Sequence, residues 1–305
     1  MKQSVTAIVV TYNRKALLAK CISALQAQSR RPELILVIDN ASTDGTRAML
    51  REQGWLTQPH IQVVALDTNT GGAGGFAEGM RFAMQGNTDW LWMMDDDAEP
   101  RPTTLKHLMS AVEDDNAIYG SIAVANNGRL CWPLFSIDGV EFDVPDRVPT
   151  RVNVPALPFL GILIPRKIIE TIGYPDAGYF IAGDDTEYCF RAHDFGFPVI
   201  AVGKSRLNHP ASQFYRFGLG PWAPVCFRIA PWKRYYDVRN RILTSWKHGA
   251  WHVWTRSIPA ALLRLLATMI NEPSRLAQLR AYASGMVDGI ARRKGMRHQI
   301  WGNKS

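Results

Sequence analysis

The first hundred residues repeat one pattern: a short apolar run, a break, then a longer stretch with apolar residues every three or four positions. Residues 5–11, 34–38, 61–66 and 90–94 are runs rich in apolar residues, which predicts strands covered on both faces. Between the first two, residues 15–28 place Leu17, Leu18, Cys21, Ile22 and Leu25 at helical spacing. Residues 42–53 open on Ser42 and Thr43, which predicts a capped helix, and residues 74–84 predict another after a glycine cluster. Strands alternating with helices predict βαβ units and a mostly parallel sheet.

Further on, residues 102–114 predict a helix with Pro102 in its first turn. Residues 118–158 read as short strands broken by Pro, Gly and Asn, residues 159–164 as a buried strand and 167–172 as a helix. Residues 184–195 predict a helix that opens on acids, favourable at its positive end, and 198–202 a short strand. The Pro-, Gly- and aromatic-rich stretch 210–232 reads as a long mobile loop, after which the chain is helical to its end.

Composition sharpens this. With 47% hydrophobic and 20% charged residues in 305, the chain can bury a large core. The N-terminal apolar run is too short for a membrane span and lacks a cleavage pattern, so it reads as a strand of a cytoplasmic protein. Cys21, Cys131, Cys189 and Cys226 are scattered without a C-x-x-C pair, which predicts reduced structural thiols and no zinc site. The net charge of +8 is unevenly spread: residues 1–227 hold 20 Lys+Arg and 24 Asp+Glu, whereas 228–305 hold 15 and 3, with five of the ten tryptophans. A basic, Trp-rich tail points to an anionic surface. A nucleic-acid partner is disfavoured, because the αβ part is net acidic. Residues 257–270 are apolar but contain Pro259 and Arg264 and look too short to span a bilayer. Leu276, Leu279, Ala283, Met286, Val287 and Ile290 recur at helical spacing among arginines. They predict a helix lying on anionic lipid, or one packed on the rest of the chain or a second subunit.

Candidate chemistry collects at strand ends, where α/β sheets bind ligands. Asp95, Asp96 and Asp97 follow the fourth run. In an extended segment Asp95 and Asp97 would face one way and could share Mg²⁺ or Mn²⁺, with Asp96 facing elsewhere. Asp39 ends the second run and could accept a hydrogen bond from a nucleobase or ribose; Ala41 argues against an Asp-x-Asp phosphatase nucleophile. The cluster around Gly74 and Gly75 lacks both the dinucleotide fingerprint and the Gly-Lys-Ser/Thr of a phosphate-binding loop. It still offers backbone amides before a helix, a natural anion site. Asp184, Asp185 and Glu187 place carboxylates at a helix start, where one could take a proton from an attacking hydroxyl and Asp184 could equally cap the helix.

VTYNR at the first strand, VIDNASTDGT at the second, the Asp95–Asp97 triplet and GDDTEYCFR resemble, over residues 4–210, the family 2 glycosyltransferases of the GT-A fold. NTGGAGGF, WMMDDDA, Asn208-His209-Pro210 and Tyr235-Tyr236-Asp237-Val238-Arg239-Asn240 look most like bacterial galactofuranosyltransferases, with rhamnosyltransferases as near relatives. The resemblance implies a Rossmann-like, mostly parallel sheet flanked by helices in a catalytic domain 1–227. Its nucleotide-sugar half would be 1–100 and its acceptor half 101–227, followed by the helical tail 228–305. It implies an inverting, Mn²⁺- or Mg²⁺-dependent transferase. Thr11, Tyr12 and Asp39 would hold uridine, with Arg14 near the diphosphate and Gly74 and Gly75 on the donor. Asp95, Asp97 and His209 would hold the metal, and Asp96 would face the sugar or ribose. Asp185 would be the general base, with Asp184 as the alternative and Glu187 orienting the acceptor. The implied donor is UDP-galactofuranose, or dTDP-rhamnose in the second reading. The implied acceptor is a lipid-linked glycan of bacterial cell-surface polysaccharide such as O-antigen, met by a peripheral membrane enzyme that could be oligomeric.

Overall fold

The computed structural model describes residues 3–218 and 223–298. Strands β1 (Val5–Thr11), β2 (Leu34–Asp39), β3 (Ile61–Ala65) and β4 (Trp90–Asp95) alternate with helices α1 (Lys15–Gln26), α2 (Thr46–Glu52) and α3 (Gly71–Ala83). Next come β5 (Glu99–Pro100), α4 (Thr104–Ala111), β6 (Ile118–Val124) and a small pair, β7 (Leu134–Phe135) with β8 (Glu141–Phe142). Strands β9 (Val152–Asn153) and β10 (Ile162–Pro165), helices α5 (Arg166–Ile172) and α6 (Asp184–Asp194), and β11 (Val199–Asn208) complete the αβ body. The main sheet has nine strands in the order β3-β2-β1-β4-β10-β6-β11-β5, with β9 paired to β11. β1 to β4 run parallel, β10 lies antiparallel to both its neighbours, and β6 and β11 are again parallel.

The alternation of side chains along a strand explains the two-sided core. In β1, Ala7 and Val9 pack with Leu18, Cys21, Ile22 and Leu25 of α1, whereas Ile8 and Val10 pack with Phe76 and Met80 of α3. Trp90 and Trp92 are core residues, 1% and 0% exposed. Complete burial of side chains of this size contributes roughly 1.5–3 kcal/mol each. All four cysteines are buried and free.

Several boundaries differ from the sequence pattern. α3 starts at Gly71, three residues early, so Gly74 and Gly75 lie inside the helix. A Cβ on Gly75 would come within 2.5 Å of Val10, so this glycine lets the helix close onto β1. Residues 42–45 stay in a loop, because Asp44 accepts the amide and hydroxyl of Thr46 and Gly45 turns with a φ of 87°. The stretch 210–232 is more than a loop: β12 (Phe214–Arg216) and β13 (Val225–Phe227) form a hairpin stabilised by the Phe214–Phe227 ring contact, and α7 (Pro231–His248) starts at Pro231. Residues 219–222 of that stretch, and Trp301 of the tail, lie outside the described residues.

The tail adds α7, α8 (Ile258–Asn271) and α9 (Arg275–Ile290). A π-helical turn at Val253–Ser257 runs directly into α8. The continuous helix Val253–Asn271 has 19 residues and is, by length and composition alone, long enough to cross a membrane, which corrects the shorter reading of 257–270.

Candidate active site

A cleft of about 650 Å³ opens where β1 and β4 end. Nine of the expected site residues line it: Thr11, Tyr12, Arg14, Asp95, Asp96, Asp97, Asp184, Asp185 and His209. Four do not. Gly74 and Gly75 are packed within α3, and the glycines at the cleft are Gly71 and Gly72. Asp39 ends β2 nearby, and its Oδ1 accepts the Ser42 N–H at 2.9 Å. Glu187 is buried in an ion-pair cluster on another face of α6.

The first wall is built on the turn after β4. The strand stops at Asp95, and Asp96 and Asp97 lie in the turn. The two-residue alternation of a strand therefore does not carry through the triplet, and each acid meets different partners. Asp96 Oδ2 accepts the Thr11 hydroxyl at 2.7 Å, and its other oxygen accepts Arg14 at 3.3 Å. Asp97 Oδ2 accepts Arg14 at 2.9 Å, while Asp97 Oδ1 faces His209 Nε2 at 3.4 Å. Among the described residues no three His, Cys, Asp or Glu side chains gather as a metal centre; of the expected trio Asp95, Asp97 and His209, which all line the cleft, Asp97 and His209 face each other. Asp97 Oδ1 and His209 Nδ1 are buried without a hydrogen-bond partner. Asp97 Oδ1 faces His209 Nε2, and with diphosphate oxygens available to complete the shell the two would fit a divalent cation once the imidazole gives up its proton.

The electrostatics of this wall are unbalanced. Burial first, then Asp97 and Asp96, push the Asp95 carboxyl well above its ordinary range. Burial also raises Asp96 against the pull of Thr11 and Arg14. For Asp97 burial is outweighed by His209 and Arg14, and the carboxyl sits below the usual range. Burial would lower His209, but Asp97 outweighs it and holds the ring up at about 10.

The donor-side loop is fixed by Asn40. Its amide donates to Gly71 O at 2.8 Å, and its oxygen accepts the Thr70 N–H at 2.9 Å. Asn40 is 1% exposed. Gly71 has a φ of 73°, and a Cβ there would lie 1.9 Å from Phe180 O, so only glycine fits.

The second wall is the start of α6. Burial and then the neighbouring Asp185 push Asp184 up; burial raises Asp185 as well. Two adjacent carboxyls, one buried and one half-buried, cannot both ionise cheaply and titrate as a pair. The Thr186 amide donates to Asp185 Oδ1 at 2.6 Å, which favours the ionised form on Asp185.

The tail closes the cleft, which the sequence pattern did not reveal. Trp232, Lys233 and His298 line it. Phe180 packs its ring on Tyr236 and His298 at centroid distances of 5.2 and 5.6 Å. Burial and then the Arg14 charge lower Lys233, whose ammonium lies over the Trp232 ring at 5.4 Å. The available signal was Pro231-Trp232-Lys233 itself, an aromatic and a cation at a helix start. Part of the tail's positive charge is used within the molecule: Lys247 and Lys294 both bind Asp176, and Arg234 binds Glu272.

The parallel strands and a cleft with acids on two walls define an α/β enzyme of the GT-A glycosyltransferase fold. Residues 6–162, just over half the chain, match the family model "Glycosyl transferase family 2". The chain belongs to that family and is a glycosyltransferase. It is 32% identical over 260 residues to galactofuranosyltransferase GlfT1 of Mycobacterium tuberculosis, covering 79% of this chain and 82% of that protein. It is 22% identical over 298 residues to the dTDP-rhamnosyl transferase RfbF of Shigella flexneri, covering 95% of this chain and 96% of the relative. Among solved structures it resembles GalNAc-T7 with UDP, GalNAc and Mn²⁺, with a TM-score of 0.61 at 14% identity, covering 95% of this chain and 56% of that one.

Proposed function

We propose that the cleft transfers galactofuranose from UDP-galactofuranose to a hydroxyl of a glycan, with inversion at the anomeric carbon. The observation that carries this reading is the placing of two acid groups, Asp95–Asp97 and Asp184–Asp185, on two walls of one cleft. The similarity to GlfT1 over four-fifths of both chains supports the choice of sugar. Thr11, Tyr12 and Asp39 hold the nucleoside at the ends of β1 and β2, and Arg14 sits beside the diphosphate. Asp95, Asp97 and His209 would hold Mn²⁺ or Mg²⁺. Such an ion, when bound, would neutralise charge on the departing diphosphate. Asp96 fixes Thr11 and Arg14 and so shapes the donor pocket. Asp185 takes the proton from the acceptor hydroxyl while Asp184 keeps its own.

The match to RfbF along nearly the whole chain favours a second donor, dTDP-rhamnose. A donor panel scored by nucleotide release separates them: UDP release from UDP-galactofuranose supports the first, dTDP release from dTDP-rhamnose the second, and release from neither removes both.

The tail carries the acceptor side to an anionic membrane surface. Trp251, Trp254, Leu262, Leu266, Ile270 and Val287 are more than half exposed, and Leu276 is 82% exposed. Charged residues exposed around them are basic, including Arg256, Arg275, Arg292 and Arg293, whereas Glu272 and Asp288 are buried and paired. An apolar face with tryptophans and a basic rim suits anionic lipid, and across a two-fold axis it would set like charges against each other. The full chain should float with phosphatidylglycerol vesicles and not with phosphatidylcholine, and Leu262→Glu with Leu266→Glu should release it. Dimerisation without vesicle binding would contradict this placement.

A further inference from the structure

The segment before Asp184 is held in a backbone conformation that its residues do not favour. Phe180 and Ala182 have φ values of 64° and 66°, and Gly183 follows at 78°. Residues other than glycine rarely adopt positive φ and persist there only when their surroundings impose it. Here the surroundings are two adjacent residues of α7, Arg239 and Asn240, which are 0% and 1% exposed.

The two hydrogens of the Asn240 amide nitrogen are shared among three carbonyls of this segment: Tyr179 O at 3.0 Å, Ile181 O at 2.9 Å and Ala182 O at 2.6 Å. Arg239 Nη2 donates to Tyr179 O at 2.7 Å and Gly178 O at 3.2 Å, and its Nη1 donates to Gly295 O at 2.7 Å. Arg239 Nε donates to Asn240 Oδ1 at 2.8 Å, which sets the orientation of the Asn240 amide. These bonds of the buried guanidinium all go to carbonyl oxygens, and it lies against the Tyr236 and Tyr235 rings at 4.7 and 5.4 Å. A buried cation held by carbonyls is a demanding arrangement for mere packing. It is well suited to fixing a run of carbonyls in one geometry.

The same segment meets the donor loop. Phe180 O accepts the Ala73 N–H at 3.1 Å, on the helix turn that begins at Gly71. Residues 179–183 therefore bridge the donor loop and α7, and lead straight into the carboxyl pair.

We infer that Arg239 and Asn240 are positioning residues: they hold residues 179–183 in their left-handed turns and thereby set the catalytic carboxyl pair across the cleft from the donor. Neither lines the cleft; both act through the backbone. The inference rests on Asp184–Asp185 supplying the base.

The test is Asn240→Ala in the full chain. A displacement of about 1 Å at a reacting group can cost about 10²-fold, so kcat should fall by roughly that factor while UDP affinity and donor KM stay within about twofold. Amide exchange in residues 179–187 should accelerate. Glycine accepts positive φ freely, so Ala182→Gly added to Asn240→Ala should recover about tenfold of the lost kcat. Arg239→Lys keeps the charge without the fork and should fall between wild type and Asn240→Ala, which covers the case in which Asn240→Ala folds poorly. Full kcat in Asn240→Ala, or equal losses of kcat and UDP affinity with no recovery from glycine, would overturn the inference. Absence of nucleotide release by the wild-type protein from any donor would instead remove the transferase reading. In that case unchanged amide exchange in 179–187 would overturn the positioning role by itself.

Discussion

Two faces of α6 treat acidic side chains in opposite ways. Asp184 and Asp185 line the cleft; burial pushes both up, and repulsion from Asp185 adds to the rise of Asp184. Glu187, two residues on, is 1% exposed and pairs with Arg191 of its own helix at 2.8 Å and Lys247 of the tail at 3.2 Å. Burial alone would raise Glu187, but His248, Arg191 and Lys247 hold it down at about 2. Asp176 on the same interface is held at about 2 by Lys247 and Lys294 against burial. The tail thus neutralises the acids beside it, whereas Asp95, Asp184 and Asp185 in the cleft stay under-neutralised. Paired acids stabilise the junction of tail and catalytic body. The under-neutralised ones are kept at a cost to stability, as expected of groups that await a cation or a proton.

The sharpest test of this contrast is Asp185→Asn. General-base removal costs roughly 10²–10⁴-fold in kcat, and relief of the repulsion with Asp184 should raise the melting temperature at pH 8. UDP affinity should be retained. Near-normal turnover, measured by nucleotide release, would break the assignment. On the first wall, Asp97→Ala should weaken Mn²⁺-dependent UDP binding by about 10–100-fold while leaving metal-free nucleotide binding nearly unchanged, as titration calorimetry would read.

On the tail face, Glu187→Gln leaves Lys247, Arg191 and His248 without their anion. Breaking a buried ion pair on one side costs about 3–5 kcal/mol, so denaturant unfolding should shift accordingly. The pH dependence separates the faces by sign. Glu187 and Asp176 have depressed values, so their contribution is present above pH 4.5 and 3.8 and is lost as pH falls toward about 2, on the order of 3 kcal/mol for Glu187 and 2 kcal/mol for Asp176. Asp95, Asp96, Asp184 and Asp185 have raised values, so their destabilising charge is relieved as pH falls below neutrality, whereas Asp97 is held down by His209 and Arg14. Between pH 8 and 5 activity should therefore fall while stability holds or rises; a parallel fall of both would contradict the contrast.

The sequence made the αβ body legible because buried parallel strands are short apolar runs, and residues 5–11 and 90–94 show this plainly. Both acid groups of the cleft were legible as carboxylates at a strand end and at a helix start. The division within each group was not. Asp96 and Asp97 lie in a turn, where strand alternation does not apply, so Asp96 binds Thr11 and Arg14 instead of standing apart. A helix turns ~100° per residue, so Glu187 points away from the side Asp185 occupies. The tail's charge suggested an external anion, yet Lys247 and Lys294 are used on Asp176. Composition counts charges without showing which way they face. The placing of Trp232, Lys233 and His298 in the cleft depends on how α7 docks, which no local pattern encodes.

The central claim is that one cleft binds a nucleotide sugar on one wall and activates an acceptor hydroxyl on the other. Its most direct test is nucleotide release from UDP-galactofuranose and dTDP-rhamnose with Mn²⁺ and a synthetic lipid-linked galactoside, in wild-type and Asp185→Asn protein. The account predicts UDP release that requires the acceptor, stops on metal chelation and is lost in Asp185→Asn. Release that is indifferent to Asp185, or no release from any nucleotide sugar, would contradict it.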